Sequence, residues 1–169
     1  MMMALNVALN RLRPARVFAA VALACVAAVG AALVSQHVFD MQPCPWCVLQ
    51  RLIFLTIALA CGLGLLWRSA TGRRVAASLG LLLALSGVAA ALWHYFVATS
   101  SASCVQTLAD KIVSGFLQLD TLLPEVFAAR ASCADGAVKL LGIPYPLWSL
   151  ALFVVAGLAL LQVLRYRGK

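Results

Sequence analysis

The sequence predicts an all-α membrane protein, a four-transmembrane-helix bundle with an interfacial amphipathic helix in the second outer loop. Three observations carry this expectation. Hydrophobic residues make up 64% of the 169 and charged residues only 11%, against roughly 45–50% and about 25% in a soluble domain. Four apolar runs approach or reach the length needed to cross a hydrocarbon core of about 30 Å. The charges also alternate by interval. Arg11, Arg13 and Arg16 precede the first run, Arg68, Arg73 and Arg74 separate the second from the third, and Arg165, Arg167 and Lys169 follow the fourth. All five acids, Asp40, Asp110, Asp120, Glu125 and Asp135, fall in the other two intervals. Positive-inside bias then puts both termini in the cytoplasm. The net charge of +8 is therefore a matter of orientation. It leaves no basic stripe for nucleic acid.

Residues 1–16 are expected to be a short basic tail. Val17 to Val34 is an uninterrupted apolar run, the first helix (17–34). Its length exceeds the roughly 7–15 residues of a signal-peptide core, so a retained helix is expected. Residues 35–43 form an outer loop with Gln36, His37 and Asp40. The second helix (47–67) opens on Cys44-Pro45-Trp46-Cys47, and Pro45 suits a first helical turn. Arg68 to Arg74, with Gly72, reads as a tight inner turn. The third helix (75–95) ends in Trp93-His94-Tyr95, an aromatic belt returned to the outer face. Residues 96–143 are the one long loop. Within it Val105, Leu108, Ile112, Phe116, Leu119, Leu123 and Val126 recur at three- and four-residue steps up to a break at Pro124, the pattern of a helix lying in the interface. Pro144 and Pro146 introduce the fourth helix (147–164). Residues 1–169 are expected to form a single membrane domain.

The chemistry concentrates on the outer side. Cys44 and Cys47 are spaced as a redox dithiol, half a metal site, or a structural pair. Cys47 faces the positive end of a helix, which favours a thiolate. Arg51 lies one turn deeper on the same face. A charge in a run that must cross lipid is expensive and points to function, although Arg51 has the option of snorkelling to the interface. Cys104 and Cys133 either form a staple closing a loop of about 30 residues or an exchangeable pair, Cys104 being preceded by the small polar run Thr99-Ser100-Ser101-Ala102-Ser103. Cys25 and Cys61 sit inside apolar runs as small hydrophobes. Two other functions compete with redox catalysis. One is a thiophilic-metal-binding or transport protein using Cys44, Cys47, His37 and His94, against which no polar path continues into the bundle. The other is a structural membrane protein with a loop disulfide.

Taken together, these residues resemble the DsbB (disulfide bond formation protein B) family. The likeness rests on Gln36-His37-Val38 before Pro43-Cys44-x-x-Cys47, Arg51 beyond the pair, and His94 at the end of the third helix. It continues through Cys104, Leu123-Pro124-x-Val126-Phe127, Cys133 and Pro146-x-Trp148. A vitamin K epoxide reductase-like bundle is the neighbouring alternative, disfavoured by the early position of the C-x-x-C. The resemblance implies a quinone-reducing enzyme of the bacterial inner membrane that reoxidises a periplasmic DsbA-like thiol oxidase, a relay with oxidising poise. It implies that the partner attacks Cys104, that Cys133 is freed and pairs transiently with Cys44, and that Cys47 passes electrons to ubiquinone or menaquinone. Arg51 and His94 are implied to lie at the quinone. No metal is implied.

Overall fold

A computed structural model describes residues 2–67, 69–96, 108–132, 139–140 and 142–165. Four helices are long and apolar enough to span a membrane: α1 (Met2–Val38), α2 (Pro45–Leu66), α3 (Ala70–Phe96) and, last in the chain, α7 (Tyr145–Arg165). The four-helix bundle expected from the sequence is present. Its ends differ from expectation for local reasons. The span of α1 is Pro14–Val38, but the helix runs on to Met2 because Met, Ala, Leu and Arg in the tail are good helix formers. Ser69 accepts a hydrogen bond from the Gly72 N–H at 3.1 Å, so α3 begins at Ala70 and Gly72 sits in its first turn instead of in the connection. Such a cap is worth about 1 kcal/mol.

The segment between α3 and α7 also departs in detail. Its described part contains α4 (Leu108–Asp110), which continues into a π-helical turn (Lys111–Phe116), then α5 (Leu119–Leu122) and α6 (Pro124–Phe127). The amphipathic segment is thus helical but divided before Pro124. The Leu117 N–H reaches back to the Ile112 carbonyl at 3.1 Å, and Gln118 takes a left-handed conformation with φ 49°, which cannot continue a helix. Its inner face is still apolar: Ala109, Val113 and Phe127 are buried in the core, with Ile112, Leu119 and Val126 packed on it. A small hairpin follows, with β1 (Lys139–Leu140) antiparallel to β2 (Ile143–Pro144). Gly142 at φ 81° supplies its turn.

The helices pack in the order α1, α2, α3, α7, and α1 touches α7 only lightly. The α3–α7 seam is closed by fitting large side chains onto glycines. A Cβ on Gly87 would lie 2.5 Å from the Phe153 ring, and one on Gly80 would lie 2.8 Å from Leu160. Phe153 in turn stacks on Phe54 of α2, centroids 4.0 Å apart and nearly parallel. Large apolar residues such as Leu23, Leu59, Leu82 and Val155 are exposed, as a lipid-facing surface requires.

Candidate redox site and its cavity

Pro43 and Pro45 bracket Cys44 and set the local geometry. Cys44 is extended (φ −86°, ψ 166°) and caps α2, its sulfur accepting from the Cys47 N–H at 3.4 Å. Cys47 follows after one turn, which brings the two Sγ atoms to 2.8 Å. Their surroundings differ. Cys44 is completely buried and its sulfur lies 3.4 Å from His94 Nε2. The other ring nitrogen of His94, Nδ1, lies 3.2 Å from the Gln50 amide nitrogen. Because an amide nitrogen only donates, Nδ1 accepts and the neutral ring carries its proton on Nε2, directed at the sulfur. Cys47 is half-buried and lines a cavity instead. The ligand atoms of Cys44, Cys47 and His94 all lie within 4.8 Å of one another.

The cavity, of about 210 Å³, occupies the loose seam between α1 and α7, with α2 behind it. Cys47, Arg51, Gln42, Tyr145, Trp148 and Ser149 are among its lining residues. Arg51 is buried and anchored by carbonyls: Nη1 donates to Gln36 Oε1 at 2.7 Å and to the Val126 carbonyl at 3.0 Å, and Nη2 to the Ala32 carbonyl at 3.3 Å. A guanidinium has five N–H donors, and two of those of Arg51 have no acceptor among the described residues. The Gln42 Oε1 atom is buried with no hydrogen-bond partner among the described residues, which such a site does not leave without reason.

A polar clamp closes the end of the cavity nearest the loop between α3 and α7. Gln36 Nε2 donates to the Glu125 carbonyl at 3.2 Å. The Glu125 carboxylate accepts from His37 Nε2 at 3.0 Å and from Arg130 at 3.2 Å. These two partners, His37 first, hold the Glu125 carboxyl below its ordinary range. The N–H groups of Arg130 and Ala131 both donate to the Pro43 carbonyl, at 2.9 and 3.2 Å. The loop is thereby fastened to the residue before Cys44.

Of the residues singled out in the sequence, Cys44, Cys47 and Arg51 converge on one spot. His94 joins them at Cys44, on the buried side, and does not line the cavity. His37 turns to Glu125 and leaves the thiols. Cys25 and Cys61 are buried in the core. Cys104, Cys133 and the Thr99–Ser103 approach lie outside the described residues. The sequence reading assigned no role to Gln42, Gln50, Ser149 or Glu125. Gln50 and Ser149 did carry a signal, as polar residues inside membrane-length apolar runs.

A family model described as Disulfide bond formation protein DsbB matches residues 14–163. The chain belongs to the DsbB family. Among its relatives, Disulfide bond formation protein B of Herminiimonas arsenicoxydans is 36% identical over 146 residues, covering 85% of this chain and 90% of the relative. Disulfide bond formation protein B 1 of Pseudomonas aeruginosa is 34% identical over 158 residues, covering 90% and 96%. Disulfide bond formation protein B of Burkholderia pseudomallei is 32% identical over 166 residues, covering 97% and 98%. Membership in the DsbB family makes the protein a disulfide-forming oxidoreductase. The four apolar helices make it a multi-pass membrane protein.

Proposed function

We propose that the protein is a quinone reductase of the bacterial inner membrane, with both termini cytoplasmic, that reoxidises a periplasmic DsbA-like thiol oxidase. The observation that supports this most strongly is the shared cavity of Cys47 and Arg51 in a seam between membrane helices. A dry cavity of about 150 Å³ accepts a benzene ring, so about 210 Å³ suits one substituted ring with its tail among the lipids. The polar groups suit it as well. The Arg51 N–H donors without an acceptor among the described residues suit a ring carbonyl, and Gln42 Oε1 suits a ring hydroxyl. Ubiquinone, with one ring, meets this description directly, and menaquinone shares its two ring carbonyls on a larger fused pair; either, when bound, would supply the two-electron oxidant.

Each step conserves atoms and electrons. A thiolate of the reduced partner attacks Cys104 of a Cys104–Cys133 disulfide, and Cys133 leaves as thiolate. The partner's second thiolate then displaces Cys104, and the partner departs as a disulfide. Cys133 attacks Cys44 of the Cys44–Cys47 disulfide and releases the Cys47 thiolate beside Arg51. Cys104 displaces Cys44, re-forming its bond to Cys133 and leaving the C-x-x-C pair reduced. His94 Nε2–H stabilises Cys44 as this leaving group, since exchange is faster when the departing sulfur carries charge easily. A quinone held by Arg51 and Gln42 would take the pair's two electrons from Cys47, on the cavity side, and the two protons given up by the partner's thiols would complete the quinol. The net change is one partner dithiol oxidised and one quinone reduced.

Anaerobic stopped-flow mixing of the quinone-loaded protein with a reduced DsbA-like partner tests the scheme. Wild type is expected to bleach quinone at a rate that depends on the partner concentration, and Cys47→Ala to abolish quinone reduction. Turnover retained in Cys47→Ala overturns the assignment of Cys47 to the quinone side.

A further inference from the structure

We propose that Cys44, Cys47 and His94 form a soft-metal site open only while the pair is reduced, and that a thiophilic d¹⁰ ion such as Zn²⁺ bound there arrests the relay. The coordination rests on the geometry of the three side chains alone. The arrest rests also on the function proposed above.

Two sulfurs and one imidazole nitrogen within 4.8 Å of one another are a donor set for soft or borderline ions, and exclude Mg²⁺ and Ca²⁺, which take oxygen ligands. Three protein ligands with a fourth position open is a recurrent zinc arrangement. The site is also shielded. Cys44 is completely buried and His94 is 1% exposed, so two of the three ligands are already desolvated and held. Gln50 supports the ring: once Nε2 gives up its proton to bind metal, Nδ1 carries it, and the Gln50 amide turns its oxygen to accept. Such outer partners commonly fix a ligating histidine. One adjustment is needed. Sulfurs sharing a tetrahedral zinc at bonds of about 2.3 Å stand roughly 3.8 Å apart, whereas here they are 2.8 Å apart. Cys47 lies at the cavity wall, where its side chain has room to make that move.

Binding is gated by redox state. The oxidised pair is a disulfide and offers no thiolate. The reduced pair gives up two protons as Zn²⁺ enters, with no electron transferred, so a chelator reverses it. The metal holds both sulfurs and thereby withholds electrons from the quinone and blocks re-formation of the disulfide.

The test uses the full chain in lipid nanodiscs in the Cys104→Ser/Cys133→Ser background, so that only one cysteine pair faces outward. Co²⁺ serves as the spectroscopic probe. The reduced protein is expected to take up one Co²⁺ with thiolate-to-metal absorption, displaced by Zn²⁺, and the oxidised protein none. His94→Gln is expected to weaken binding at least as much as loss of an outer-shell partner does, about tenfold or more, while His94→Cys, which restores a soft ligand, retains it. Absence of thiolate absorption in the reduced protein, equal uptake by the oxidised protein, or unchanged affinity in His94→Gln overturns the site. In the wild type, Zn²⁺ is expected to stop partner oxidation and a chelator to restore it. Continued turnover with metal bound overturns the arrest and leaves the relay standing. A metal-free wild type that fails to reduce quinone overturns the relay and leaves the coordination standing.

Discussion

The two faces of α7 are built on opposite principles. Toward α3 the seam is filled: Phe153 and Leu160 occupy the space that side chains at Gly87 and Gly80 would take. Toward α1 the helices barely touch, and the gap is the cavity lined by Cys47 and Arg51. In lipid no hydrophobic drive pulls helices together, so close association depends on small residues and fitted shapes. The closed seam has both. On the open seam, Ala28 and Ala32 of α1 face Trp148, Ser149 and Leu152 of α7 across space. Stability is therefore concentrated on one face of α7, and the room for a ligand on the other. Changes to the two seams should separate folding from turnover.

The largest separation is expected from Ala28→Phe, which puts a ring into the open seam. It should raise the quinone KM at least tenfold, about 1.4 kcal/mol of binding, with the thermal midpoint unchanged. Steady-state assays at varied quinone, beside a single-turnover measurement of thiol exchange with the partner, make the check. Exchange should proceed at the wild-type rate. An unchanged KM would mean that the ligand sits elsewhere.

Gly87→Ala is the counterpart on the closed seam. The new methyl meets the Phe153 ring at 2.5 Å, and the ring is pinned from the other side by Phe54. Overpacking of this kind costs about 1–3 kcal/mol, to be read as a lower thermal midpoint in detergent. Quinone KM in the folded protein should move little, because neither Gly87 nor Phe153 lines the cavity. A large KM change with an unaltered midpoint would break the division between the seams.

How far this was legible beforehand depends on the kind of feature. The helices were, because a membrane imposes length and polarity that sequence must obey. Arg51 was conspicuous for the same reason, as a charge in a run that should have none. Pro45 announced the start of α2, but the start of α3 was not legible, since Ser69 decides it through a single capping contact. Gln118 divides the amphipathic segment with one left-handed residue that periodicity does not reveal. The partners of His94 depend on how α3 is rotated against α2, 50 residues away. Cys47 could be placed near a quinone by family likeness, but the cavity is an absence of contact between α1 and α7. An absence of that kind has no motif.

The clamp at the loop end of the open seam offers the smallest and most selective effect. Glu125→Gln keeps a hydrogen-bonding side chain opposite His37 and Arg130 and removes only the charge. The pair is exposed, so the effect at neutral pH should be modest. Its pH dependence is the informative part. His37 first, then Arg130, depress the Glu125 ionisation below its ordinary range. A depressed carboxylate contributes stability that is present above its unfolded value and is lost as pH falls through the folded one. Hydrogen exchange at the Arg130 and Ala131 amides, which hold the Pro43 carbonyl, reads the clamp directly. Those amides should exchange faster in Glu125→Gln than in wild type at pH 7, and the two rates should converge as the medium is acidified below the usual carboxylate range. A difference that persists through that range would mean that the Gln36 and backbone hydrogen bonds hold the loop without help from the charge.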